Sequence, residues 1–314
     1  MDKKKFRFGA QVAGPASAKG WREKAQAIEA AGYSTIFLPD HFEDMLAPFA
    51  ALMAAADAAS KLRVGALVLD NDFRHPAVLA KEAATLDLLS GGRLELGMGA
   101  GWMITDYEKA GMPYDAVGVR ISRLEESLAI LKGLFADGSF SFSGTHYKIT
   151  GFDGLPKPAQ KPHPPILIGG GGKRILSIAA READIVNVNF SLTSGQISPD
   201  SLASGSAERT AEKVKWVREA AGQRATQIEM SVTIFAGVVT DHPRQAAEQV
   251  GARFGMSAEQ AMNSPHLLFG SVDGIVEELE RRREEFGFSY VIFGGIGVET
   301  QSIMAPVVAR LAGR

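Results

Sequence analysis

Eight times along the 314 residues, a short apolar run of strand character gives way to a stretch with helical spacing, and this alternation constrains the chain more than any other feature. The strand-like runs are "FRFGAQV" (6–12), "YSTIFLPDH" (33–41), "RVGALVL" (63–69), "RLELGMGAGW" (93–102), "PPILIGG" (164–170), "ADIVNVNF" (183–190), "IEMSVTIFAGVV" (228–239) and "SYVIFGG" (289–295). Between them, Trp21, Ala25 and Ile28 share one helical face, as do Leu79, Ala83 and Leu86, and then Leu124, Leu128, Leu131 and Phe135. Further helices are expected over 47–59, 173–182, 206–221, 243–286 in pieces, and 299–311. Near-continuous apolar strands alternating with helices imply parallel strands covered on both sides, and eight such beats predict an α/β fold, a (β/α)8 TIM barrel. Residues 139–149 alternate like a hairpin and are expected as an insertion, and the Gly/Ser-rich stretch 190–206 after strand six as a lid over the barrel mouth. One domain over 1–314 suffices for this pattern.

Composition narrows the chemistry. A formal charge of −2 supplies no general field for nucleic acid or an anionic membrane. With no cysteine, thiolate catalysis and cysteine-based zinc sites are excluded, and no H-E-x-x-H pair or carboxylate-rich ligand spacing points to another metal. The beginning "MDKKKFRFGAQV" lacks the apolar core of an export signal, and no run of about 18 apolar residues occurs, so a cytoplasmic enzyme is expected.

Active groups of such barrels collect at the carboxyl ends of strands. Here those positions hold Gln11, then Asp40 and His41, "LVLDND" (67–72), "GAGW" (99–102), "GGGGK" (169–173), Asn187 with Asn189, and "GGIG" (294–297). Gly169, Gly170, Gly171 and Gly172 join a strand to a helix, so free amides and the positive helix end face one spot, with Lys173 and Arg174 beside it; this is an anion site or simply a tight turn. Gly97, Gly99 and Gly101 lack the third glycine of a dinucleotide fingerprint, because Trp102 stands near where it is needed; they are expected to let backbone approach another group. His41 is a proton carrier for neutral pH or a structural imidazole, and Asp40 its neighbour or a cap.

"FLPDHF" (37–42), the run 73–102, "GMPYDAVGVRISRLEESLAILKGLF" (111–135) and 164–189 together resemble the bacterial luciferase-like superfamily, and their spacing is similar to its branch dependent on coenzyme F420, a 5-deazaflavin. The resemblance implies a tricyclic ring in the barrel mouth, lying against a strand-three bulge that often contains a non-proline cis peptide, for which Leu67–Val68 is the match. It further implies close approach of Gly97, Gly99, Ala100 and Gly101 to the ring and its side chain, and of Gly169 to Gly172 to the cofactor phosphate, with Asp40 also beside the cofactor. His41 matches an active-site acid/base, with Asp40 beside it; Gln11, Met45, Phe73 and Trp102 are expected to shape the substrate pocket. Trp102 and Met45 stand where the branch's sugar-phosphate dehydrogenase has a carboxylate and a tryptophan, so its substrate is not carried over. Also implied are a homodimer and a separate system that reduces the cofactor. The alternatives are an FMN-dependent two-component monooxygenase of the same fold and a non-catalytic flavin-binding protein.

Overall fold

The structure, a computed structural model, describes residues 4–14, 17–294 and 300–314. Eight parallel strands close into a barrel: β1 (Arg7–Gln11), β2 (Thr35–Leu38), β3 (Arg63–Ala66), β4 (Leu94–Gly99), β5 (Ile166–Gly170), β6 (Ile185–Val188), β7 (Glu229–Ile234) and β8 (Phe288–Phe293). Each pairs with the next, and β1 closes the ring on β8 with Ala10 opposite Phe293. The expected fold class is therefore found.

The helices that follow these strands are α1 (Ala18–Ala30), α2 (Pro48–Ala58), α3 (Pro76–Leu89), α4 (Val117–Phe135), α5 (Lys173–Glu182), α6 (Ala207–Ala221), α7 (Val272–Phe286) and α8 (Ala305–Leu311). Local chemistry sets their ends. In α3, Pro76 fills the first turn, where no amide donor is needed, and the His75 side chain caps Ala77 N. After it, Gly91 and Gly92 take φ of 68° and 79°, which side chains disfavour, and turn the chain into β4. The stripe Leu124, Leu128, Leu131 and Phe135 of α4 is fully buried, each residue contributing roughly 1.5–3 kcal/mol by leaving water.

The insertion hairpin is present as Phe140–Ser143 paired antiparallel with Lys148–Phe152, ending three residues beyond its sequence pattern. The seventh strand-like run is split. Phe235 hands its amide to His266 O, and Ala236–Val239 leaves the barrel to pair in parallel with Leu267–Gly270, a strand the periodicity did not predict. Helices Pro243–Arg253 and Ala258–Asn263 fold over this ribbon on a small apolar cluster of Ala247, Ala261 and Leu267. The expected 299–311 helix begins among residues outside the description, and its described part is Thr300–Ile303 followed by α8.

The stretch 190–206 contains a short helix, Pro199–Ala203, with a reciprocal Ser198/Ser201 cap. Lys213 of α6, 3% exposed, pins both ends of the stretch by donating to Asn189 O and Ser204 O at 2.7 and 2.6 Å. Burial pushes its ammonium down to about 8. The folded value lies below the unfolded one, so this group's contribution to stability is complete above the unfolded value and is lost as pH falls towards 8. Lys213→Met is expected to leave the barrel folded and to open 190–206 to limited proteolysis; unchanged cleavage would contradict the anchoring role.

Candidate active site

At the carboxyl ends of the strands lies a cavity of about 1000 Å³, counting its open mouth. Asp40, His41, Leu67, Val68, Gly99, Ala100, Gly101, Trp102 and Gly169 to Gly172 all line it. Residues that share no segment of sequence are thus gathered on one wall, as the barrel topology requires.

The peptide Leu67–Val68 is cis, at the position expected. Its surroundings explain the strand-four glycines. A Cβ on Gly97 would run into Ala66 O, one on Gly99 would lie 2.5 Å from Val68 Cγ2, and one on Gly101 would collide with Tyr107 Oη and the Asp70 carboxyl. These glycines therefore make room first for the protein's own strand-three bulge and for Asp70. Gly97, unlike Gly99 and Gly101, is not among the residues that line the cavity. Three other expected pocket residues do not line the cavity either. Gln11 Nε2 donates to Leu67 O at 2.9 Å and so holds the bulge, Phe73 packs between Phe42 and Tyr107, and Met45 does not line the cavity.

His41 is positioned by a residue that the sequence reading missed. Its Nδ1 lies 2.7 Å from Asp106 Oδ2, and Asp106, 4% exposed, also accepts the Phe42 amide at 3.2 Å. An ionised carboxylate can only accept, so Nδ1 carries the hydrogen and Nε2 is left to exchange a proton with a ligand. Trp102 stands edge-on to the imidazole, ring centroids 5.6 Å apart. Asp40 is occupied differently. Arg74 grips its two oxygens at 2.6 and 3.2 Å, and the Asp70 amide donates to it at 3.1 Å. Those contacts make it a positioning group for the segment after β3 and leave it poorly placed to carry a proton.

Asp106 and Tyr107 belong to a seven-residue helix, Ile104–Ala110, ended by Gly111 in the left-handed conformation. Gly111 after "DYEKA" was the available signal, but so short a polar helix has no periodicity to read. Adjacent residues of this one helix therefore serve two cavity-lining groups, Asp106 holding His41 and Tyr107 holding Asp70.

The glycine loop and α4 meet across the cavity. Gly172 is extended (φ −95°, ψ 155°), and a Cβ there would meet nothing within 4 Å, whereas one on Gly170 would lie 2.6 Å from Ile175 and one on Gly171 would strike Phe190 O. Facing the same space is Arg120 of α4, 1% exposed, with Nε and Nη1 lacking any hydrogen-bond partner; its guanidinium rests 4.0 Å above the Tyr114 ring. Leaving a charge unpaired indoors costs several kcal/mol, so such a group calls for an anion. Sequence reading passed over Arg120 because an arginine in a helix's first turn reads as surface. Arg174 ties the two halves of this corner together, donating to Gly118 O and Ser122 Oγ at 2.7 and 2.8 Å. Asn189 lines the cavity, but Asn187 is turned into the barrel towards Ser231 and Thr233. Of "GGIG", residues 295–297 lie outside the described residues.

A closed parallel barrel with a bulged third strand, a histidine after the second and a glycine-rich loop after the fifth defines a class, and comparison with known proteins gives it a family. Residues 5–287 match the profile of the luciferase-like monooxygenases, and the chain belongs to that family. It is 28% identical over 281 residues to an F420-dependent glucose-6-phosphate dehydrogenase of Amycolatopsis mediterranei, covering 86% of this chain and 78% of that one. To an FMNH2-dependent dimethylsulfone monooxygenase of Pseudomonas putida it is 36% identical over 134 residues, 43% of this chain and 36% of that protein's length. The coenzyme F420-dependent tetrahydromethanopterin reductase of Methanopyrus kandleri shares the fold, with a TM-score of 0.77 over 97% of this chain and 98% of the other at 19% identity. Relatives thus use a deazaflavin or a flavin, and the chain is of oxidoreductase type. Among the described residues no helix is long and apolar enough to cross a membrane, and no cluster of metal-ligating side chains occurs.

Proposed function

We propose that the chain is a cytoplasmic oxidoreductase that moves a hydride between coenzyme F420 and a small organic substrate. The observation that carries this reading is the buried guanidinium of Arg120, whose Nε and Nη1 have no hydrogen-bond partner, lining one cavity with the amide-rich loop 169–172, which fits the phosphate of a flavin-type cofactor. The apolar patch of Leu67, Val68 and Ala100 offers a face to the tricycle. F420, when bound, would supply hydride-transfer chemistry at its C5. His41 Nε2, oriented through Asp106, takes up or hands over the accompanying proton at the substrate. Trp102 and the 190–193 segment exclude water from that face. F420 is preferred over FMN because the F420-dependent relative matches along most of both chains. The second reading, an FMN-dependent monooxygenase fed by a separate reductase, draws on the higher but shorter identity to the dimethylsulfone enzyme.

Arg120→Met tests the phosphate corner by two effects of opposite sign. Cofactor affinity is expected to fall by about 2–5 kcal/mol, on the order of 30-fold or more, because a buried charged partner is lost. The cofactor-free protein is expected to become more stable in urea, because an unpaired buried charge is removed. An affinity within a few fold of wild type, or a destabilised free protein, would contradict the assignment. Gly172→Val is the companion test, since Gly172 lines the cavity and a Cβ there would meet nothing within 4 Å. It is a cleaner choice than Gly170 or Gly171, whose substitution disturbs Ile175 or Phe190.

A further inference from the structure

Asp70 is a cavity-lining carboxyl with no part in the phosphate corner or the His41 proton path. It is 7% exposed, and its contacts are unusual for so buried an acid. Oδ1 accepts the Asp72 amide at 2.9 Å, and Tyr107 Oη donates to the carboxyl at 2.8 and 3.1 Å. No cation touches it among the described contacts. The cations around it belong to its neighbours: Arg74 pairs with Asp40, and Arg123 pairs with Asp72 at 2.8 Å. From α4, Arg120 leans over Tyr107, its guanidinium 5.8 Å from that ring. Asp70 therefore sits in the barrel mouth between two carboxylates, each neutralised elsewhere. Gly101 has no side chain where one would displace Asp70 and Tyr107, so the wall is shaped around this pair.

We propose that Asp70 is a further ligand-contacting residue, its carboxyl held by Tyr107 and donating a hydrogen bond to an acceptor, a carbonyl oxygen or ring nitrogen, on the polar edge of the bound tricycle. The inference rests on the reading of the cavity as a flavin-type site. It follows from placement, because Asp70 comes two residues after the Leu67–Val68 bulge and lines the cavity together with it. Burial, and secondarily the charges of Asp72 and Asp40, push the Asp70 carboxyl up to about 7, so that a large share of it is a donor at neutral pH. The folded value lies above the unfolded one; the neutral form is complete in acid and is lost as pH rises through about 7. Tyr107 is the positioning residue, its own hydroxyl kept protonated by burial and by Asp70.

The test is titration of wild type, Asp70→Asn and Asp70→Leu with F420 and with FMN between about pH 5.5 and 8.5, followed by cofactor absorbance or quenching of tryptophan fluorescence. For the cofactor that binds, wild-type affinity is expected to weaken above pH 7 by up to about tenfold per unit. Asp70→Asn, which keeps a donor and an acceptor for Tyr107, is expected to remove that slope and hold the acid-side affinity. Asp70→Leu is expected to bind about tenfold more weakly at acid pH, the equivalent of one lost hydrogen bond. A flat wild-type profile, a slope that persists in Asp70→Asn, or Asp70→Leu binding like wild type would each overturn the inference while leaving the cavity's assignment intact. Failure of both cofactors to bind wild type would instead overturn the reading on which it rests.

Discussion

His41→Ala is expected to lower turnover by ~10²–10⁴-fold while cofactor affinity stays within a few fold. The imidazole lines the cavity and stands edge-on to Trp102, and its Nδ1 is committed to Asp106, so the free Nε2 is what the substitution removes. Arg74 already engages both Asp40 oxygens and Tyr107 is turned to Asp70, which leaves neither well placed to take over. Asp106→Asn separates positioning from proton transfer: the ring loses its charged partner but not its place, so kcat should fall by less than in His41→Ala, again without loss of cofactor. If His41→Ala instead weakened cofactor binding or thermal stability and left turnover of the loaded enzyme intact, the imidazole would be a packing residue.

The second large effect concerns the opposite end of the barrel. Glu95 of β4 is 1% exposed and accepts from Arg7 Nη1, Arg63 Nε at 2.8 Å, Tyr290 Oη at 3.0 Å and Thr35 Oγ1 at 3.3 Å. Four strand residues thus meet on one carboxylate, and Arg7 also stacks 3.6 Å above the Tyr290 ring. Removing one partner of a buried network is far costlier than the network is worth, because the remaining charges stay behind. Glu95→Ala is expected to cost about 3–5 kcal/mol in urea unfolding, Arg7 keeping Glu229 but Arg63 losing its only carboxylate among the described ion pairs. Replacing Arg63 and Glu95 together by Met should restore part of that loss. A single-variant cost below about 1 kcal/mol would show that water, rather than Glu95, satisfies these arginines.

The barrel was legible because its signal is repeated. Apolar period 2 followed by period 3.6 recurs in every unit, and local errors such as the split after Ile234 leave the count unchanged. The charged plug had a sequence signature too, in that Arg7, Arg63 and Glu95 each interrupt an otherwise apolar strand near its start. The residues that serve the cavity were only half legible. His41, Leu67–Val68 and the glycine loop lie at strand ends, where the fold itself tells the reader to look. Asp106, Tyr107 and Arg120 come from helical turns beyond those ends, and their meaning arises from burial: Arg120 reads as solvated until Tyr114 covers it, and Asp106 reads as helix surface until His41 arrives from another unit. The strand-four glycines carry the same lesson, since what needed the space was the bulge beside them and Asp70.

We propose that the cavity between the Leu67–Val68 bulge and the 169–172 loop holds a phosphate-bearing deazaflavin. Parallel equilibrium titrations of the purified protein with F420 and with FMN, repeated with Arg120→Met, address it directly. Saturable binding with F420 preferred over FMN is expected, with a loss of affinity of about 30-fold or more in the variant. Tighter binding of FMN, or binding indifferent to Arg120, would contradict it.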